Sequence, residues 1–131
     1  MKIAVCDDEQ TVREELSRLI QAQEPEADIT VCQSGEELLS AKENFDIYFL
    51  DIAMGETSGM DTAKYIRKQE KISGHRSILI FVTGYREYME AAFDVNAFHY
   101  LVKPLNAEKF SEVFRRACKE VSAACQQAKK Y

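Results

Sequence analysis

The sequence predicts one α/β domain built on a parallel sheet with helices on both faces. Three observations carry that prediction. Short apolar runs alternate five times with segments whose apolar residues recur at helical spacing. The short runs are apolar throughout rather than alternating, as in strands buried on both faces. The chain has 131 residues, 46% of them hydrophobic and 30% charged, which suits one globular core that needs no disulfide or metal to hold it.

The elements follow in order. Ile3 to Cys6 reads as a buried first strand that runs straight into Asp7, Asp8 and Glu9. Val12, Leu16, Leu19 and Ile20 stripe a helix that should end near Glu24-Pro25, because the residue before a proline avoids the helical region. Ile29, Val31 and Cys32 suggest a second strand. Ser34, with Glu37 three residues on, has the pattern of a capping box, with Leu38 and Leu39 facing inward. Phe45 to Leu50 is the third strand and stops at Asp51. An ionised carboxylate is costly in a core, so Asp51 should lie where strand meets loop. Gly55 to Gly59 is a loop by composition, and Met60, Ala63, Tyr65 and Ile66 mark a helix broken by Ser73-Gly74. Ser77 to Val82 is the plainest strand, ending at Thr83-Gly84. Arg86 to Phe93 reads as a short helix, Ala97 to Val102 as a fifth strand stopped by Lys103-Pro104, and Phe110, Val113, Phe114, Ala117 and Val121 as a last helix. Residues 1–125 make the domain; residues 126–131 read as the end of that helix or the start of a linker.

Composition excludes several classes. The net charge is -5, and no basic stripe of the kind that grips nucleic acid is present, so this chain is not expected to bind DNA directly. No apolar run approaches the roughly 18 residues of a membrane span, and the first residues lack the apolar core of a signal peptide. The four cysteines form no Cys-x-x-Cys pair and read as reduced, cytoplasmic and mostly structural. The pairs Arg67-Lys68, Arg115-Arg116 and Lys129-Lys130 read as solvated helix faces, and His75 and His99 as lone surface or strand-end residues.

Parallel strands put their carboxyl ends on one edge, where open α/β sheets bind their ligands. That edge collects Asp7, Asp8, Asp51, Thr83 and Lys103. Taken singly the signals are weak: an Asp-Asp pair after a strand is as often a helix cap as a ligand pair, and Asp8 suits both roles. Taken together they make a site. Carboxylates crowded in one pocket repel each other, and a divalent cation removes that cost; a few carboxylates with room for water suit Mg²⁺. A cation, an ammonium and a hydroxyl around one carboxylate form a set that stabilises a transferring phosphoryl group, with Asp51 as nucleophile.

These residues resemble the receiver domain of two-component response regulators. The resemblance spans Ile3 to about Ala123 and rests on Val5-Cys6-Asp7-Asp8-Glu9, Phe49-Leu50-Asp51-Ile52-Ala53-Met54 with Gly59 eight residues after Asp51, Val82-Thr83, and Tyr100-Leu101-Val102-Lys103-Pro104. The stretch from Phe81 to Tyr88, with Ala92-Phe93, Ala97 and Tyr100 to Leu105, is most similar to regulators that carry a LytTR-type DNA-binding domain. The resemblance implies a flavodoxin-like (βα)5 fold with strand order 2-1-3-4-5. It implies that Asp51 accepts phosphate from a sensor histidine kinase, and that Asp8, Asp51 and the backbone carbonyl of Ala53 hold Mg²⁺, with Asp7 acting through water. Lys103 would pair with Asp51 or its phosphate, Thr83 would bond a phosphoryl oxygen, and Tyr100 would turn inward behind it. The Lys103-Pro104 peptide would be cis. Output would be transcriptional, through a DNA-binding domain not in this chain, the alternative being a stand-alone receiver that acts by protein–protein interaction. Phosphorylation would favour a homodimer through the Arg86–Phe93 helix, the fifth strand and the last helix. Met89 and Phe93 are the apolar residues offered there, although their spacing reads more readily as helix core. Tyr85, two residues after Thr83, would shield the acyl phosphate from water. One departure stands out: Gly55 occupies a place where the family usually has proline, which points to a looser loop.

An aspartate-nucleophile phosphatase of the haloacid dehalogenase kind would need an acid/base Asp two residues after the nucleophile. Ala53 stands there, so the chain reads as a phosphoacceptor rather than a turnover enzyme. A flavodoxin-like cofactor binder would need a loop rich in Ser, Thr and Gly after the first strand, where this chain has three acids.

Overall fold

The computed structural model describes the chain through Lys129 except residues 55–57, with side chains through residue 124. The looser loop expected at Gly55 lies outside the described residues. Five parallel strands, β1 (Lys2–Cys6), β2 (Asp28–Cys32), β3 (Ile47–Leu50), β4 (Ile78–Thr83) and β5 (His99–Val102), pair in the order β2-β1-β3-β4-β5. The helices are α1 (Gln10–Gln23), α2 (Gly35–Ser40), α3 (Gly59–Ser73), α4 (Met89–Ala92) and α5 (Ala107–Lys129).

Alternation along each strand divides the core. Ile3, Val5, Ile47, Phe49, Ile80 and Val82 face α1 and α5, where Leu16, Ile20, Phe110, Val113 and Phe114 close over them. Ala4, Cys6, Tyr48, Leu50, Leu79 and Phe81 face the opposite layer, among Leu38, Met60, Ala63, Ile66, Ala92 and Val95. The uniformly apolar runs are therefore strands covered twice. Local signals set the helix ends. Ser34 Oγ accepts from the Glu37 amide at 3.2 Å, while Glu37 Oε2 accepts from the Gln33 amide. Gly74 closes α3 at φ 83, where an L side chain would be strained. Among the described residues no helix is long and apolar enough to cross a membrane.

Two expectations need correction. The helix read over Arg86–Phe93 is only one turn, α4, followed by a 3₁₀ turn at Phe93–Val95; Arg86 to Tyr88 form a turn before it. A short helix is held by what its apolar face buries. Here Tyr88, Met89 and Phe93 are exposed, Phe93 by 77%, and of this apolar set only Ala92 is buried, too little to hold a longer helix. The reading of Met89 and Phe93 as helix core fails for the same reason. The second correction is Arg67, which is not solvated. Its guanidinium donates to the carbonyls of Val95 (2.7 Å), Ser77 (2.8 Å) and Asn96 (2.9 Å), and pairs with Glu70 at 2.8 Å. Ser77 in turn donates to Glu70. This cluster ties α3 to the start of β4 and to the turn before β5, and it draws Ser77 out of the strand predicted to begin there.

Candidate functional site

The sheet register builds the site. Cys6 pairs with Leu50, Leu50 with Phe81, and Phe81 with Tyr100. Asp7 and Asp51 therefore each stand one residue past a paired row, at the carboxyl ends of neighbouring strands. Their amides still belong to the sheet: Asp7 donates to the Cys32 carbonyl at 3.1 Å and Asp51 to the Cys6 carbonyl at 3.0 Å. Thr83 ends β4, paired with Val102, and the amide of Lys103 donates to the Thr83 carbonyl at 2.8 Å. The Lys103-Pro104 peptide is cis.

Lys103 binds the cluster together. Its Nζ lies 2.9 Å from Asp51 Oδ2, 2.9 Å from Asp7 Oδ2 and 3.4 Å from Glu9 Oε1. Burial opposes the ammonium, but the Asp51 and Asp7 carboxylates outweigh it and raise its pKa above the ordinary lysine value. Asp7 and Asp51 are buried, so these contacts are little screened by solvent. The sequence places Asp51 where strand meets loop. It is at the junction but only 4% exposed, and its charge is met by Lys103 and by the Ala53 amide, which donates to Oδ1 at 3.2 Å.

Asp7 is the strained member. Burial pushes its carboxyl up to about 6, even though the Glu9 amide donates to Oδ1 at 2.9 Å and Lys103 stands close; the Asp51 charge adds to the upward push. Its Oδ2 is in ion-pair contact with Lys103 yet has no well-directed hydrogen bond. Arg13 bonds the Asp7 carbonyl at 2.8 Å and fixes this corner to α1.

One ligand oxygen each from Asp7, Asp8, Glu9 and Asp51 fall within 4.8 Å of one another. Four acids face one ammonium, and one buried carboxylate oxygen is poorly satisfied. A hard divalent cation such as Mg²⁺ fits that donor set: the ligands are all oxygen, and Asp8 and Glu9 are exposed, leaving room for water. Sequence reasoning placed Asp7, Asp8, Asp51 and Lys103 together, and the structure brings them together. It assigned no role to Glu9, whose acidity was visible but whose reach to Lys103 was not.

Thr83 is fully buried; its Oγ1 accepts from the Tyr85 amide at 3.4 Å. The Tyr100 ring lies 6.0 Å from that of Phe81, and its hydroxyl donates to the Tyr85 carbonyl. Tyr85 itself is half exposed, edge-on to Tyr88. Thr83, Tyr85 and Tyr100 thus form one hydrogen-bonded run from the site to the surface.

Gly59 was noticed only for its spacing, and the structure gives the reason for it. A Cβ at this position would fall 1.9 Å from the Asp51 carbonyl oxygen, an impossible contact, while its amide donates to the Ile52 carbonyl at 2.8 Å. Only glycine lets α3 start against the backbone of Asp51. Beneath the site, the buried Cys6 thiol contacts Met54 Sδ at 3.3 Å and the Ser34 carbonyl at 3.1 Å. Burial raises its pKa, so it is an inert packing group.

Known proteins resemble this chain in sequence and in fold. The chain is 38% identical over 130 residues to the sensory transduction protein LytT of Enterococcus faecalis, covering 95% of this chain and 50% of that protein. It is 36% identical over 125 residues to LytT of Oceanobacillus iheyensis, covering 92% and 49%. The chain thus spans about half the length of the curated relatives it matches. Among solved structures, the response regulatory domain of MrkE from Klebsiella pneumoniae superposes with a TM-score of 0.85 at 25% identity, covering 94% of this chain and 99% of that one. The response regulator TrrA of Thermotoga maritima, solved in complex with Mg²⁺-BeF, gives 0.73 at 32% identity, covering 88% and 97%. The family described as the response regulator receiver domain matches residues 3–115, which take in all five strands, α1 to α4 and the start of α5, and the chain belongs to that family.

Proposed function

We propose that Asp51 accepts a phosphoryl group from a phosphohistidine on a sensor histidine kinase, and that the resulting acyl phosphate switches an output carried outside this chain. The observation that supports this most is Lys103 held at 2.9 Å from both Asp51 and Asp7 inside a group of four acids. An Asp51 oxygen attacks phosphorus, the P–N bond breaks, and the imidazole leaves with the bonding electron pair and takes up a proton. Asp8, Asp51 and the Ala53 carbonyl would hold Mg²⁺, with Asp7 acting through a water. When bound, the cation neutralises charge on the transferring phosphoryl oxygens. Lys103 offers its ammonium to the same charge from the other side. Thr83 gives up its contact with the Tyr85 amide and donates its hydroxyl to a phosphoryl oxygen. Tyr100, linked to Tyr85, then turns into the space left behind. This is a shift between two packings, biased by new contacts to phosphate.

The relatives named as sensory transduction proteins support a signalling role, and a relative named as a transcriptional regulatory protein supports an output in gene regulation. We place that output in a LytTR-type DNA-binding domain beyond this chain, in the cytoplasm. The exposed Met89 and Phe93 support self-association of the phosphorylated form through α4, β5 and α5. With beryllofluoride and Mg²⁺, sedimentation should show a dimer as concentration rises; a monomer at high micromolar protein refutes that part. The central test is intact mass after acetyl phosphate and Mg²⁺. The wild type should gain one phosphoryl group and Asp51→Ala none. A wild type that gains nothing refutes the reading.

A further inference from the structure

We propose that Glu9 is a built-in competitor for the anion position at Lys103, a positioning residue whose hold on the ammonium weakens the hold of a phosphoryl oxygen. The inference rests on the phosphoacceptor reading of Asp51 and deepens it. An ammonium has three N–H donors. Lys103 donates to Asp51 Oδ2 at 2.9 Å and to Glu9 Oε1 at 3.4 Å, while Asp7 Oδ2 stands 2.9 Å away as an ion-pair partner without a well-directed hydrogen bond. A phosphoryl oxygen that approaches the ammonium therefore competes with Glu9 for one of its two bonded directions. Asp51 and Asp7 are buried and held at 2.9 Å, whereas Glu9 is the longest contact at 3.4 Å and its side chain is 60% exposed. Glu9 is the partner that can move into water at little cost.

Its position makes the competition local. The Glu9 backbone is fixed, because its amide caps Asp7 Oδ1 and its carbonyl accepts from the Arg13 amide at 3.1 Å. Only the side chain is free to swing. The same carboxylate belongs to the group of acids within 4.8 Å of one another, so its charge also draws a cation to the pocket. One residue thus acts in opposite directions: it favours the cation and opposes the anion. The effect is to make anion capture depend on the cation having arrived.

The experiment compares wild type, Glu9→Gln and Glu9→Asp by calorimetry in two titrations: Mg²⁺ alone, then beryllofluoride at Mg²⁺ saturating for each variant. For Glu9→Gln, Mg²⁺ affinity should fall and beryllofluoride affinity should rise, each by about two- to fivefold, the range of a partly exposed ion pair. Glu9→Asp keeps the charge but loses the reach to Lys103, so it should bind beryllofluoride more tightly than wild type while holding Mg²⁺ nearly as well. General damage to the site would weaken both ligands together, so a parallel loss overturns the proposal. Equal beryllofluoride affinity in all three proteins overturns it too and leaves the phosphoacceptor reading standing. A wild type that takes up no beryllofluoride overturns both.

Discussion

Two cations mark opposite ends of the sheet, and their surroundings differ in kind. At the amino edge, Arg67 meets three carbonyls and one carboxylate at 2.9 Å or less, and the Ser77 hydroxyl at 3.5 Å. The charges of Arg67 and Glu70 cancel, and the fork of the guanidinium is filled. At the carboxyl edge, Lys103 meets three carboxylates, and a buried oxygen of Asp7 is left poorly satisfied. The first cluster has nothing left to bind and so serves to hold elements together. The second carries excess negative charge and a poorly satisfied acceptor, which make it receptive to a cation. Satisfaction of polar groups separates a structural cluster from a reactive one more sharply than residue type does.

The comparison can be broken most severely at Arg67. Removing one partner of a mostly buried pair strands the other. Arg67→Ala should lower unfolding stability by about 3 kcal/mol in urea melts, yet leave Mg²⁺ affinity unchanged. A variant that lost Mg²⁺ binding while still folded would show the two ends to be coupled.

A smaller effect concerns pH at the other end. Asp7 has its carboxyl raised to about 6 in the fold, above its ordinary 3.8. The native state therefore holds more protons than the unfolded chain between about 4 and 6. Stability contributed by this group falls as pH rises through that window, and the penalty is fully present above it. Burial of His99 lowers its pKa and works the opposite way, so the test compares variants: the melting temperature of metal-free wild type, taken relative to metal-free Asp7→Asn, should be higher at pH 5 than at pH 7. Saturating Mg²⁺ competes with the proton and should flatten that slope; an equal slope with and without Mg²⁺ would count against Asp7 facing the cation.

The smallest expected effect is kinetic. Tyr85→Ala should shorten the lifetime of the acyl phosphate by a few-fold, measured as loss of the phosphorylated mass with time. An unchanged lifetime would show that the half-exposed ring does not screen water.

What was legible in the sequence follows the same division. The reactive end is made of side chains, and acids after two strands with a lysine after a third announce themselves once the strands are known to be parallel. Arg67 was misread because most of its partners are carbonyls of Ser77, Val95 and Asn96, which have no signature in residue identity. The α4 segment was overextended because Tyr88, Met89, Ala92 and Phe93 repeat as a helix does, while spacing cannot say whether a neighbour covers them. Glu9 was visible as an acid, but its reach to Lys103 depends on how far β1 and β5 bring their ends across two intervening strands.

The fit of Gly59 against the Asp51 carbonyl also bears on where a signal can travel. With the root of α3 seated on the main chain of the acceptor, that side offers no slack to recoil into. Under the proposed switch, displacement that begins at Asp51 would run across the sheet instead, toward Thr83 and the exposed turn from Tyr85 to Tyr88. A residue without a side chain thereby gives the message its heading.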